Sequence, residues 1–329
     1  MVPLWLTALA VAALAGLVLR RRRRLPADGR VVYIIGADTG FGFSSAQHLQ
    51  RAGCRVLAGC LHADGEGARL LGQAGCQVIP VDVRDPDSVT AAAAEAARLA
   101  GDARLWAVIY NAGVLVLGHV AWLTEHQARH MFDVNVLGAV RAARASLPAL
   151  ARPGGRLLLV GSPCGSIPCQ EVAVYAASKA ALAALAAGLQ MEVRASGLHV
   201  ALVTPGDMAT STNILGRQAE HVQLMWQHMD ADTRRRDGAV FAAFRARLAG
   251  LGPRPPAVLG TPRLRRAVLR AVLDVSPLRH YTAVELGTQL WLALSWLLPR
   301  RLQEWLVDAR LHYALHRLDW DWLDLNNLI

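Results

Sequence analysis

Between residues 30 and 206 the chain alternates short uninterrupted apolar runs with longer stretches of helical spacing. Val31-Val32-Tyr33-Ile34-Ile35 is apolar and rich in β-branched residues, the pattern of a strand buried on both faces. Helical spacing follows over residues 44–52. Further apolar runs at 54–61, 78–83 and 106–110 predict three more strands, each separated from the next by helical spacing. Strand and helix in strict alternation argue for an α/β fold: a doubly wound parallel sheet with its ligand at the carboxyl ends of the strands.

The pattern loosens after Gly206. Residues 207–250 carry Met208, Leu215, Leu224, Met225, Trp226, Met229 and Phe241, a greasy segment suited to covering an apolar ligand, though core packing would use the same residues. Residues 253–256 read as a loop and 263–272 as an exposed amphipathic helix. A single domain over 25–275 is expected, with a helical extension over 276–329.

The two ends are apolar. Residues 1–19 contain no charge, and five arginines, Arg20 to Arg24, follow at once. A secretory signal places its charge before the apolar stretch, so this order favours a membrane anchor over residues 1–24. Nineteen helical residues reach about 28 Å, close to a hydrocarbon core of ~30 Å. The arginines would face the cytosol. A helix lying in the interface and an uncleaved mitochondrial address are the alternatives. Residues 286–298 are again uncharged but short for a span. With Trp291, Trp296, Trp305, Trp320, Trp322, Arg300, Arg301 and Arg310, this end suits either membrane lipid or packing on the domain.

Composition narrows the class. The net charge of +10 falls to +5 without the run at 20–24, and no interleaved basic and aromatic pattern marks a nucleic-acid binder. Cys54, Cys60, Cys76, Cys164 and Cys169 are odd in number and lack metal-ligand spacing, so they read as free thiols. His62, His119, His126, His130 and His199 are scattered, and no metal site is expected.

Candidate chemistry gathers at three places. Gly36-Ala37-Asp38-Thr39-Gly40-Phe41-Gly42 joins a strand to a helix, and its glycines allow a sharp turn and close approach to a pyrophosphate. The strand at 106–110 runs into Asn111-Ala112-Gly113. Tyr175 and Lys179, four apart, share a helix face, and an ammonium beside a phenol favours the phenolate, a general base for an alcohol proton. Lys179 is the one lysine in a chain that otherwise writes its cations as arginine.

Taken together, the glycine loop, Asn111-Ala112-Gly113, Asn135, Ser162 thirteen residues before Tyr175, Lys179 and Pro205-Gly206 resemble the short-chain dehydrogenase/reductase superfamily in order and spacing over about residues 30–215. Val56-Leu57-Ala58-Gly59-Cys60-Leu61, Leu105-Trp106-Ala107-Val108-Ile109 and Asp133-Val134-Asn135 are similar to one branch. It holds the type 2 17β- and 11β-hydroxysteroid dehydrogenases, the microsomal retinol dehydrogenases and D-3-hydroxybutyrate dehydrogenase. Ile35 and Tyr110 depart from the usual threonine and asparagine.

The resemblance implies a Rossmann-like fold and hydride transfer to a nicotinamide cofactor. Tyr175 would be the base, Lys179 would tune it and hold the nicotinamide ribose, Ser162 would bind the substrate oxygen, and Asn135 would hold a relay water. Cofactor contacts are expected from Gly36, Asp38, Thr39, Gly40, Phe41, Gly42, Cys60, Leu61, Asp82, Val83, Asn111, Ala112, Gly113, Tyr175, Lys179, Pro205, Gly206 and Thr210. Substrate contacts are expected from Ser162, Met208, Leu215, Met225 and Trp226. The second strand ends without the ribose-binding acid of many NAD sites, but no arginine stands in the glycine loop or at 60–62 to meet a 2′-phosphate, and the absence of that arginine favours NAD over NADP. The expected substrate is a lipophilic alcohol, steroid first and retinol next, with a homodimer and an endoplasmic-reticulum membrane implied by the branch. D-3-hydroxybutyrate is the rival substrate, for which Arg217 and His221 are the candidate carboxylate contacts. A non-catalytic membrane scaffold is the rival of another class.

Overall fold

The computed structural model describes residues 23–150, 153–167, 169–206, 208–209, 211–284, 299 and 301–302. The expected anchor, Thr210 and most of the tryptophan-rich extension lie outside the described residues.

Seven parallel strands form the sheet: β1 (Val31–Ile35), β2 (Arg55–Cys60), β3 (Gln77–Pro80), β4 (Leu105–Tyr110), β5 (Arg156–Val160), β6 (His199–Thr204) and β7 (His280–Thr282). Their order is β3-β2-β1-β4-β5-β6-β7. The order reverses between β1 and β4, and a crevice opens there at the carboxyl ends. All of β1, β4 and β5 is buried, as uninterrupted apolar strands between two helical layers must be. The sheet takes in β7, past the expected boundary at 275.

Alternate side chains serve opposite faces. On one face Val32 and Ile34 pack with Phe43 and Leu49 of α1 (Gly40–Arg51), and with Leu264, Val268 and Val272 of the last helix, Pro262–Leu273. On the other, Tyr33 and Ile35 pack against α3 (Pro86–Ala100), α5 (Gly138–Leu150) and α6 (Ala173–Glu192). Among the described residues, the further α-helices are α2 (Glu66–Gln73), α4 (Glu125–Phe132), α7 (Gln218–His228) and α8 (Ala231–Leu248), with Pro262–Leu273 as α9. Local signals set several starts. Asp85 accepts from Asp87 N ahead of Pro86, and Thr124 with Gln127 forms a reciprocal cap on α4.

Three expectations shift. The first helix begins at Gly40 and not near 44, so its opening turn is part of the glycine loop. The third strand ends at Pro80, although Val81 N still donates to Cys60 O at 2.9 Å. α9 is amphipathic but not simply exposed: Leu264, Val268 and Val272 are wholly buried, each contributing roughly 1.5–3 kcal/mol by burial.

The chain after the basic run is fastened to the end of α9. Leu25 N donates to Leu273 O at 2.7 Å, and Val275 N to Arg23 O at 2.9 Å. Buried Arg156, the first residue of β5, donates to Ala271 O and Asp274 O in the same place. This flank therefore lies at the amino ends of the strands, away from the crevice. Among the described residues, α6 is the one helix long and apolar enough to cross a membrane; here it packs on the sheet.

Candidate active site

The glycine loop turns where β1 meets the switch point. Gly36 N and Ala37 N donate to Gly59 O, and Asn111 N and Ala112 N donate to Ile35 O, so the ends of β1, β2 and β4 are laced together. A methyl group on Gly42 would stand 2.2 Å from Gly36 O and 2.4 Å from Asn111 Nδ2, and Gly40 has φ +60°. The loop therefore closes only with glycine. Thr39 gives no side-chain cap and the first turn of α1 holds no acid, so this helix end is open to an anion. A cradle of glycines facing a bare helix N-terminus fits a pyrophosphate.

Asp38 leaves the loop and reaches the end of β2. Its carboxylate accepts from Leu61 N at 3.0 Å and His62 N at 2.9 Å. Gly67 at the start of α2 permits this, since a Cβ there would lie 1.9 Å from Asp38 O. An acid thus does stand at the end of β2, supplied by the glycine loop and not by the strand. Cys60 is buried in the sheet, its thiol pushed up to about 12 by burial, and Leu61 is exposed. Asp82 is held by Arg84 at 2.6 Å, which keeps its carboxyl below the usual range. Val83 is buried, and its carbonyl accepts from Arg141.

Asn135 sits in a single π-turn, Asp133–Leu137, between α4 and α5. Such wide turns recur at functional sites. Its Oδ1 accepts from Val114 N at 2.8 Å; its Nδ2 donates to Val114 O at 3.0 Å and Ser178 Oγ at 2.9 Å. Ser178 Oγ in turn donates to Tyr175 O at 2.6 Å. The Asn135 amide is therefore occupied by protein and fixes α6 against the β4 exit. Tyr110, the departure from the family pattern, ties β4 to the same turn: its hydroxyl donates to Val134 O at 2.5 Å. Ser178 and Tyr110 were not singled out for these roles from the sequence, and only the Tyr175/Ser178 spacing of three gave any signal.

Tyr175 and Lys179 face each other on α6, with Nζ 5.8 Å from the ring centre. Lys179 is buried and donates to Val160 O at 3.0 Å, the last residue of β5. Burial pushes its ammonium down to about 8. Ser162 follows β5 by two residues, and its Oγ accepts from Cys164 N at 3.2 Å. Gly165 packs against the Lys179 backbone, where a Cβ would approach to 2.9 Å. A Cβ on Gly113 would come within 3.3 Å of both Asn135 Oδ1 and Lys179 Nζ. The ends of β4 and β5 thus bring Gly113, Asn135, Ser162, Tyr175 and Lys179 to one place. Pro205 and Gly206 follow β6, with Gly206 facing Ala283.

A third apolar cluster lies over this group. It joins Tyr175 and Val172 to Leu115, Leu117, Trp122 and Met131, and to Leu215, Met225, Phe241 and Phe244 of the covering segment. Met225 is fully buried, whereas Trp226 is 39% exposed and carries the Arg234 guanidinium over its ring. Met208 packs with the cluster on the α1 side of the sheet instead. Of the expected substrate residues, Leu215 and Met225 share a cluster with Tyr175; Trp226 lies part exposed at the edge of that cluster, its ring stacked on Phe241 with centres 5.4 Å apart, and Met208 lies elsewhere. Among the described residues no group of side chains is arranged to hold a metal ion.

A glycine cradle at a sheet's switch point with a buried tyrosine–lysine pair next to it is the architecture of the nicotinamide-dependent oxidoreductases. The chain belongs to the short chain dehydrogenase family, whose sequence model matches residues 30–221. It is 38% identical to rat estradiol 17-beta-dehydrogenase 2 over 201 residues, 59% of this chain and 51% of the rat protein. It is 30% identical to human retinol dehydrogenase 5 over 319 residues, 95% of this chain and 96% of the human one. Its matches cover about half the length of the rat and mouse estradiol 17-beta-dehydrogenases 2. Among solved structures, a short-chain dehydrogenase/reductase from Serratia marcescens superposes with a TM-score of 0.51 at 28% identity, covering 55% of this chain and 76% of that one. A dehydrogenase/reductase from Sinorhizobium meliloti gives 0.58 at 24% identity over 78% of this chain and 93% of that one, a likeness of fold.

Proposed function

We propose that the chain is an NAD-dependent dehydrogenase of a lipophilic secondary or allylic alcohol, a steroid first and retinol next. The observation that carries this is the apolar cover around Tyr175, which shares one buried cluster with Leu215, Met225 and Phe241. Both named relatives act on lipophilic alcohols by their titles, estradiol and retinol.

The dinucleotide would be held by the glycine loop, the N-terminus of α1, Asn111 to Gly113, Lys179 and Pro205-Gly206. Held there, the nicotinamide would supply the acceptor for hydride leaving the carbinol carbon. Tyr175, as phenolate, takes the hydroxyl proton of the substrate. The Lys179 ammonium favours that phenolate. Ser162 Oγ donates to the substrate oxygen as C–O becomes C=O. Asn135 acts by fixing α6 through Ser178 and holding Val114, and the relay water expected beside it is part of this proposal. The preference for NAD rests on Asp38: a carboxylate at the end of β2 repels a 2′-phosphate, and no arginine stands at 36–42 or 60–62.

Against D-3-hydroxybutyrate, Arg217 is exposed and paired with Glu220 at 2.8 Å, while His221 is packed beside Gln127. Neither presents a free cation to a carboxylate. Membrane association belongs to the same reading, through the apolar ends and the lipophilic substrate.

The test is NADH formation by the detergent-solubilised full chain, offered NAD or NADP with hydroxysteroids, retinols and D-3-hydroxybutyrate. Turnover of a lipophilic alcohol with NAD, lost in Tyr175→Phe with NADH binding retained, is the expected result. Turnover of hydroxybutyrate alone refutes the lipophilic reading, and NADH binding without turnover of any alcohol favours the scaffold.

A further inference from the structure

Between β4 and α4, residues 114–118 form no regular element, yet their backbone is paired by side-chain amides. Asn135 takes both the N–H and the C=O of Val114. Three residues on, Gln218 does the same for Leu117: Leu117 N donates to Oε1 at 3.1 Å, and Nε2 donates to Leu117 O at 2.9 Å. Gln218 is the first residue of α7 and is 1% exposed. One turn along α7, buried Gln127 donates to His221 O at 3.0 Å. Gly118 N donates to Glu171 O at 2.8 Å, and the Glu171 carboxylate pairs with Arg247 near the end of α8.

A buried amide is costly unless fully paired, and an apolar residue would fill an interior position at lower cost. Gln218 matches both backbone groups of one residue, as a neighbouring strand would. We propose that Gln218 is a positioning residue for substrate specificity: it holds the first turn of α7 in register with the segment that Asn135 fixes, and so sets Leu215 and Met225 over Tyr175. This rests on the alcohol dehydrogenase reading above.

The predicted behaviour is selective. A bulky lipophilic alcohol uses the cover, whereas a small alcohol is held by Ser162 and Tyr175 alone. Gln218→Leu removes both hydrogen bonds. The KM for a hydroxysteroid should rise ~10-fold, with kcat, the constants for propan-2-ol and NADH binding unchanged. Equal losses on both alcohols, or no loss on either, overturn the proposal. Gln218→Glu supplies a second test. Its carboxylate accepts from Leu117 N–H but repels Leu117 O, whereas the protonated acid pairs with both. Its KM penalty relative to the native chain should therefore shrink as pH falls, and a penalty independent of pH overturns the role.

Hydrogen exchange of the Leu117 amide in the NADH complex reads the clamp without catalysis. Exchange should quicken in Gln218→Leu, and unchanged protection overturns the proposal. A native chain that oxidised no alcohol would sink the functional reading, while exchange would still decide the clamp.

Discussion

Lys179 offers a test in which chemistry and stability move in opposite directions. Burial lowers its ammonium from 10.5 to about 8, a fall equivalent to about 3 kcal/mol of charge burial. Below pH 8 the lysine is protonated in folded and unfolded chains alike, and the folded chain bears that full cost. Between pH 8 and 10.5 the unfolded chain binds the extra proton, so this residue makes stability rise with pH across that window. Lys179→Met keeps the length of the side chain and removes the charge. It also leaves buried Val160 O without its donor, which offsets about 1–3 kcal/mol. The variant should be more stable than the native chain by up to about 2 kcal/mol at pH 7, with the advantage gone by pH 10.5. Burial raises the Cys54, Cys60 and Cys76 thiols to about 11, 12 and 11, which lowers stability as pH rises above 9. Those effects are common to both proteins and cancel in the difference. Urea unfolding followed by tryptophan fluorescence at pH 7, 8.5 and 10 measures it, beside alcohol oxidation, which the variant should lose. A variant less stable than the native chain at pH 7, or a difference flat with pH, would refute the reasoning.

Tyr110→Phe leaves Val134 O buried without its donor and should cost about 1–3 kcal/mol in urea unfolding; a neutral result would show that the carbonyl finds another partner. Asp38→Asn keeps an acceptor for the Leu61 or His62 amide but removes the charge at the end of β2. The ratio of kcat/KM for NADP to that for NAD should rise ~10-fold, and an unchanged ratio would remove the case for charge-based cofactor choice.

The sheet was readable because strands buried on both faces are written as unbroken apolar runs, as in Val31 to Ile35. The start of α1 was not, since Gly40 and Gly42 are poor helix formers placed where only their lack of a side chain matters. Arginine crowds one face of α9 and gives its sequence the look of an exposed helix, while the other face carries Leu264, Val268 and Val272 into the core. Neighbours on a helix point about 100° apart, so composition alone could not show that Met225 is fully buried while Trp226 stays part exposed against Phe241.

The catalytic group and its cover differ in a deeper way. Tyr175, Lys179 and Ser162 are legible because they lie within 17 residues of one another in sequence and the chemistry proposed for them belongs to their side chains. What orients them is not legible in the same way. Asn135 pairs with Val114 from 21 residues away and Gln218 with Leu117 from 101 residues away, and in each case the partner is backbone. A backbone partner leaves no mark on residue identity, so no spacing rule can find it. The same holds for Asp38, whose reach to the amides of Leu61 and His62 depends on how tightly Gly67 lets α2 approach. On the reading proposed here, reaction type is therefore written locally in this chain, whereas the choice of cofactor and the fit of substrate would be set by polar side chains clamping distant backbone. Substitutions at Asp38 and Gln218 should consequently change what the enzyme accepts before they change what it does.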